Sequence, residues 1–387
     1  MAYQSIYEFF APTKQVFGPH CLILLPKELR KLTGRPCPLL VTDPGIVKAG
    51  LLGRLTTVLE KARIRYGIFD SVEPNPSDQT VHRGYECYRE AGCNALIALG
   101  GGSPIDTAKA IGVLTKNPGR ILDYVGAEKV IQPLPPFICV PTTYGTGSEV
   151  TPFVVITDPT QRYKCTIASR LVIPHVAILD PELLLTLPLS VGGPTGMDAL
   201  THAIESYVNL TATPLTESLA IGAIELISQN LRQAVANDHN LEATGRMLVA
   251  STIAGMAFAQ TRVGLVHAMA HPLGGFFNVH HGTANAILLP HVMEHNLIGC
   301  PEKFVKIAEA LGESVVGLSA AEVARRSIDA VRRLSSDVRV PLSLRDVGVD
   351  PSAIPDMARD AMTSGNIPVN PRRVVLEDVI RLYEQAM

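Results

Sequence analysis

Two kinds of hydrophobic pattern divide the chain. In the first half, short continuous apolar runs occur at PLLVTD (38–43), RYGIFD (65–70), NALIALG (94–100) and PFICVP (136–141). Between them lie stretches with apolar positions at helical spacing, such as GLLGRLTTVLEKA and the segment from Val81 to Ala91. Strands that are apolar on both faces belong to a parallel sheet covered by helices on both sides. FVVITD (153–158) and VAILDP (176–181) predict two more strands that close or extend this domain. From about Gly193 the pattern changes: ESLAIGAIELISQNLRQAV, EATGRMLVASTIAGMAFAQ and SAAEVARRSIDAVRRL are long helical periodicities with no strand among them. The predicted fold class is therefore α/β plus all-α. A parallel-sheet domain spans 1–184 and an all-helical domain spans 185–387, with the boundary in the proline-bearing stretch Leu183–Pro194.

Composition narrows the function classes. The 387 residues suit two domains at about 100–200 residues each. Lys plus Arg number 34 against 36 Asp plus Glu, a formal charge of −2, so no general attraction to nucleic acid or anionic membrane is expected. A hydrophobic fraction of 47% with 18% charged residues excludes a largely disordered chain. The seven cysteines form no CxxC pair, and several, such as Cys139, lie in apolar runs, as reduced core thiols do. With no signal-peptide pattern at the N-terminus and no apolar run of the ~18 residues a membrane span needs, the expected location is the cytoplasm.

Two loops carry candidate chemistry. LGGGSPIDTAKAIG (99–112) is a strand end, three glycines and a helix start. Gly100, Gly101 and Gly102 let the backbone approach a ligand, and the free N–H groups of a helix start bind anions. In this reading Ser103 is the N-cap, Pro104 occupies N1 and Asp106 occupies N3. After the fourth strand, PTTYGTGSE (141–149) places two glycines and five hydroxyl residues at a strand's C-terminal end, the ligand-binding edge of open α/β sheets. Together the loops predict nucleotide binding more strongly than either does alone. Asp43, at the end of the first strand, suits ribose hydroxyls and would repel a 2′-phosphate, which favours NAD over NADP.

Six of the 11 histidines fall between His267 and His295. GMDALTHAIES sets Asp198 and His202 four apart, on one face of a helix, and GLVHAMAHPLGG sets His267 and His271 at the same spacing. Imidazoles with a carboxylate suit Fe(II), Zn, Co, Ni or Mn. HAMAH lacks the glutamate of HExxH, which counts against a zinc protease. Spacing leaves a ligand set of Asp198, His202, His267 and one of His271, His280 or His281; His239 and His295 read as structural.

These motifs, GGGSPIDTAK, PTTYGTGSEVT, GMDALTHAIE, GLVHAMAHPLGG and HGTANAILLP, with NPRRVVLEDVIRLYEQA near the C-terminus, resemble the iron-containing (group III) alcohol dehydrogenase family over essentially the whole chain. The resemblance implies a dinucleotide-binding α/β domain followed by a helical metal-binding domain. Its metal ligands fall on Asp198, His202, His267 and His281, the last because the family's ligand directly precedes the glycine of its HG motif. The family usually has proline at 280, where this chain has histidine. His271 matches a non-ligand histidine near the nicotinamide, in place for proton transfer. For NAD the family pattern points to Asp43, Asn75, Gly100, Gly101, Gly102, Ser103, Thr142, Thr143, Thr146 and Lys164, with Thr151, Phe153 and Val155 along the same wall. Tyr144 replaces the family's usual small residue, and Phe258 is a candidate for the apolar substrate wall.

The implied cofactors are NAD and Fe2+, with Zn2+ or another divalent metal as the alternative. The implied reaction is reversible hydride transfer between a small-molecule primary alcohol or diol and its aldehyde. Rival readings are a zinc glycerol-dehydrogenase-like enzyme, a dehydroquinate-synthase-like enzyme and a metal-dependent hydrolase; the last has no use for two dinucleotide loops. Edge strands and broad helical faces predict a homodimer or larger homo-oligomer.

Overall fold

The structure, a computed structural model, describes residues 6–159, 163–237 and 239–387. These form two compact units. One holds Ala11–Thr143 and Gly147–Thr186; the other holds the N-terminal segment through Phe10, Tyr144–Thr146 and Leu187–Met387.

The first unit is built on strands β1 (Lys14–Phe17), β2 (Pro38–Val41), β3 (Gly67–Phe69), β4 (Ala95–Gly100), β6 (Phe137–Pro141) and β9 (Val176–Leu179), ordered β1-β9-β6-β4-β2-β3 and paired in parallel throughout. All residues of β2, β4, β6 and β9 are buried, as their unbroken apolar sequences require. Helices α1 (Leu25–Leu32), α2 (Pro44–Lys48), α3 (Leu51–Lys61), α4 (Asp78–Glu90) and α5 (Gly102–Lys116) complete the unit. On one face, Leu39, Val41, Leu96, Ala98, Phe137 and Cys139 share a core with Ile105, Ala108 and Ile111 of α5.

FVVITD is a strand of this unit, β7 (Phe153–Asp158), as expected; it stands outside the main sheet and pairs antiparallel with β8 (Tyr163–Ala168), beside the two-residue β5 (Gly126–Ala127). Its alternating burial marks a strand with one covered face, unlike the sheet strands. β1, β5 and β8 have no counterpart in the sequence reading, because short or polar strands leave no continuous apolar run. The capping reading at the glycine loop needs correction. Gly101 is the N-cap of α5, and Ser103 and Pro104 lie inside its first turn. Asp106 accepts bonds from Ser148 Oγ (2.6 Å) and the Val155 amide (3.0 Å) instead of closing a box.

The second unit contains α6 (Leu189–Val208), α7 (Pro214–Ala236), α8 (Leu241–Thr261), α9 (Leu265–Phe277), α10 (His281–Asn296), α11 (Pro301–Ala310), α12 (Ala320–Asp337), α13 (Ile354–Ala361) and α14 (Leu376–Gln385). Among the described residues it has no strand. Helix α6 is its centre: every residue from Gly192 to Val208 is buried. Missing side chains allow that close packing. A Cβ at Gly196 would overlap Leu231 of α7, and one at Gly282 of α10 would run into the Pro194 carbonyl. No single helix among the described residues is long and apolar enough to cross a membrane.

Candidate metal centre and nucleotide loops

Three helices supply the polar cluster. Along α6, Asp198, His202 and Glu205 follow at helical spacing and form one stripe. Helix α9 adds His267 and His271, and α10 begins with His281 and adds Asn285 one turn later. Asp198, His267 and His281 each offer one ligand atom, all within 4.8 Å of one another. Asp198 Oδ1 lies 3.8 Å from His267 Nε2 and 3.9 Å from His281 Nε2, each below twice the ~2.1 Å bond of an N or O ligand. Two imidazole nitrogens and a carboxylate oxygen in that arrangement fit a first-row divalent ion.

His202 stands beside this triad. Its ring stacks on His267 at 4.5 Å and on Phe258 at 4.3 Å, and its Nδ1 is 3.2 Å from the Gly145 carbonyl oxygen. Burial lowers its pKa to about 4, so it is held neutral. His271 is half-buried, with its ring stacked 5.6 Å from His281. His280, the N-cap of α10, is exposed. Tyr144 is buried beside Gly192, whose missing side chain makes room: a Cβ there would sit 2.6 Å from the phenol oxygen.

Two cluster residues escape the spacing argument. Glu205 Oε2 lies 2.6 Å from His267 Nδ1, while Oε1 accepts the Val266 amide at 2.6 Å. Asn285 Nδ2 donates to Asp198 Oδ1 at 2.6 Å and lies 3.1 Å from His267 Nε2 and 3.2 Å from His281 Nε2. Both residues continue stripes already recognised, Glu205 three positions after His202 and Asn285 four after His281; that periodicity was the available signal.

In the first unit, the loops gather at the C-terminal edge of neighbouring parallel strands. Asp43 follows β2, Gly100 ends β4, and Thr142 and Thr143 follow β6. This edge is where open α/β sheets bind ligands. Gly100 has φ +150°, and a Cβ there would lie 2.5 Å from Pro104. α5 starts with no side-chain cap on Gly101, so its first turn presents backbone N–H groups. The hydroxyl oxygens of Thr142 and Thr143 are buried without a hydrogen-bond partner among the described residues, which suits a polar ligand. Asp43 caps α2 through the Ile46 amide at 3.0 Å, leaving a second carboxylate oxygen for other contacts.

Asn75 has φ +53° in the turn after β3, and its carbonyl accepts from Thr157 Oγ1 at 3.1 Å. Thr151 precedes β7, Phe153 and Val155 lie on it, and Lys164 lies on β8 opposite Thr157. Thr146, alone among the predicted cofactor residues, groups with the helical unit. Beneath the wall, the buried Lys109 ammonium donates to Ser148 Oγ (3.0 Å) and to the carbonyls of Thr151 (3.0 Å) and Phe153 (2.8 Å), a role the sequence reading missed.

A glycine- and hydroxyl-rich loop edge on a parallel sheet suits a nucleotide, and the carboxylate–imidazole cluster of the helical unit suits a divalent ion. Residues 12–181 match the model of the iron-containing alcohol dehydrogenases, and residues 194–387 match that of the family's C-terminal region. The chain is 44% identical over 388 residues to 1,3-propanediol dehydrogenase of Citrobacter freundii, covering 100% of both chains. It is 39% identical to NAD-dependent methanol dehydrogenase of Bacillus methanolicus, covering 98% of this chain and 99% of that one. A crystal structure of 1,3-propanediol oxidoreductase superposes with a TM-score of 0.96 at 43% identity, covering 99% and 100% of the two chains. The chain belongs to the iron-containing alcohol dehydrogenase family, and it is an oxidoreductase acting on alcohols or diols. Membership implies a nicotinamide cofactor, a divalent metal and a small alcohol or aldehyde substrate.

Proposed function

We infer that this chain catalyses reversible hydride transfer between a short primary alcohol or diol and NAD, at a divalent ion, iron in the first instance, held by Asp198, His202, His267 and His281. The observation that carries the reading is the convergence of Asp198, His267 and His281 within 4.8 Å. The full-length similarity to a 1,3-propanediol dehydrogenase and to an NAD-dependent methanol dehydrogenase supports the substrate class and the cofactor.

The ion supplies Lewis acidity at the reacting oxygen, and NAD supplies the hydride acceptor. His202, neutral and stacked between His267 and Phe258, has a lone pair to offer the fourth ligand position. His271, stacked on His281 and half-buried, carries the substrate proton outward. Residues 1–184 act as the cofactor-binding domain and 185–387 as the metal-binding domain. NAD is held by the N–H groups at Gly101–Ser103, the hydroxyls of Thr142, Thr143, Thr146 and Thr151, the wall of Phe153 and Val155, and Asn75, Lys164 and Asp43.

The enzyme works in the cytoplasm as a homo-oligomer. β1 stands at one end of the main sheet, the position from which sheets of two copies most often join. The test is His267→Ala: loss of both bound metal and NADH formation is expected, and full metal content with full turnover would overturn the assignment.

A further inference from the structure

Glu205 has no ligand role in the reading above, yet it is 3% exposed, and an ionised carboxylate is costly to bury without strong partners. It has two. Oε1 accepts the Val266 amide at 2.6 Å, in the first turn of α9, where the helix dipole favours negative charge. Oε2 lies 2.6 Å from His267 Nδ1. The position is shaped for the carboxylate: the N-cap of α9 is Gly264, and a Cβ there would stand 2.9 Å from Oε1.

The two sides of the His267 ring agree on one tautomer. An ionised carboxylate only accepts, so Nδ1 must carry the proton that faces Oε2. On the opposite side Nε2 is 3.1 Å from Asn285 Nδ2. The orientation of that amide is set independently, because Asp198 Oδ1 at 2.6 Å needs a donor. The Nδ2 hydrogens are shared among Asp198 Oδ1, His267 Nε2 and His281 Nε2, and a lone pair on His267 Nε2 facing that donor agrees with a proton on Nδ1; Nε2 is also the atom that approaches Asp198 Oδ1 at 3.8 Å. A carboxylate behind the distal nitrogen of a histidine holds the ring and strengthens its donor atom.

We propose that Glu205 is a positioning residue that locks His267 in the Nδ1–H tautomer and thereby sets the metal affinity of the site. The metal part rests on the ligand reading given above; the tautomer part does not. Glu205→Gln is nearly isosteric and separates the two. Its amide has one acceptor oxygen for two donors, the Val266 and His267 N–H groups. The Val266 amide cannot change, so His267 is relieved by moving its proton to Nε2, into the place where a lone pair is needed.

The experiment combines histidine side-chain 15N NMR of the ion-free protein, with the His267 signals assigned from His267→Ala, and Co(II) titration against a competing chelator. Expected are an Nδ1–H His267 in the unchanged protein, a shift toward Nε2–H in Glu205→Gln, and Co(II) affinity weakened by about ten- to a hundredfold in that variant. An Nε2–H tautomer in the unchanged protein overturns the proposal. So does a Glu205→Gln protein with the original tautomer and unchanged Co(II) affinity. If the unchanged protein binds no Co(II), the metal reading fails while the tautomer still decides the role of Glu205. If Glu205→Gln does not fold, the tautomer of the unchanged protein decides alone.

Discussion

Lys109→Met is the most informative perturbation of the nucleotide unit. The Lys109 ammonium is fully buried, and it donates to Ser148 Oγ, to the Thr151 carbonyl and hydroxyl, and to the Phe153 carbonyl at 2.8–3.4 Å. Asp106, one turn earlier on α5, grips the same segment through Ser148 and the Val155 amide. Burial pushes the Lys109 pKa down and the Asp106 pKa up, and each charge opposes the other's shift. Removing the ammonium leaves the Ser148, Thr151 and Phe153 oxygens without their buried donor, at about 1–3 kcal/mol per unsatisfied group, and takes a positive charge away from Asp106, so a loss of about 3–5 kcal/mol is expected. At about 2–4 °C per kcal/mol for a unit of this size, Lys109→Met lowers the melting temperature by about 6–20 °C. NAD affinity falls with it, since the lysine fixes the carbonyls at the start of the β7 wall. Calorimetric melting and NAD titration measure both effects. The double variant Lys109→Met/Asp106→Asn removes the stranded charge and recovers part of the loss. A loss below about 1 kcal/mol in the single variant would refute the reasoning, since that is the range of an exposed pair.

Three further predictions follow from single contacts. Asp43→Gly should raise NADPH use relative to NADH at little structural cost, because a glycine N-cap on α2 loses only a few tenths of a kcal/mol; an unchanged cofactor ratio rejects the assignment. Gly192→Ala should destabilise by about 1–3 kcal/mol, because its Cβ falls 2.6 Å from the Tyr144 hydroxyl. Adding Tyr144→Phe should restore most of that loss in denaturant titrations, the ring Cζ being 3.6 Å away. In the ion-free protein His202 stays neutral while the unfolded chain takes up a proton. Its contribution to stability is fully present above pH 6.5 and is lost as the pH falls through about 4. His202→Asn should flatten the acid limb of stability against pH, and an unchanged limb would contradict the burial argument.

What the sequence made legible follows from the strength of the physical signals. Strands β2, β4 and β6 are unbroken apolar runs because both faces are covered, and they were readable as such. β1 and β8 are short or carry charged residues, and register with a partner, not local pattern, makes them strands. Ser103 looked like a cap because its neighbours Pro104 and Asp106 are typical first-turn residues. The helix begins earlier because glycines free the backbone, and Asp106 is drawn to Ser148 by tertiary contact. In the cluster, spacing left His271, His280 and His281 equivalent, and only family resemblance separated them. In the fold His281 joins Asp198 and His267, while His271 is one turn too far along α9 and His280 is exposed. Glu205 and Asn285 were hidden for a different reason. Acidic and amide residues are frequent on helices, and their meaning here comes from α6, α9 and α10 meeting.

The central claim is that the Asp198, His202, His267 and His281 site and NAD act together on an alcohol. NADH absorbance, followed after 1,3-propanediol is added to the Fe(II)-reconstituted protein with NAD, tests it most directly. The account predicts NADH formation that disappears when a chelator removes the metal, returns on reloading, and is absent in His267→Ala. Equal NADH formation by the chelated protein and by His267→Ala would contradict it.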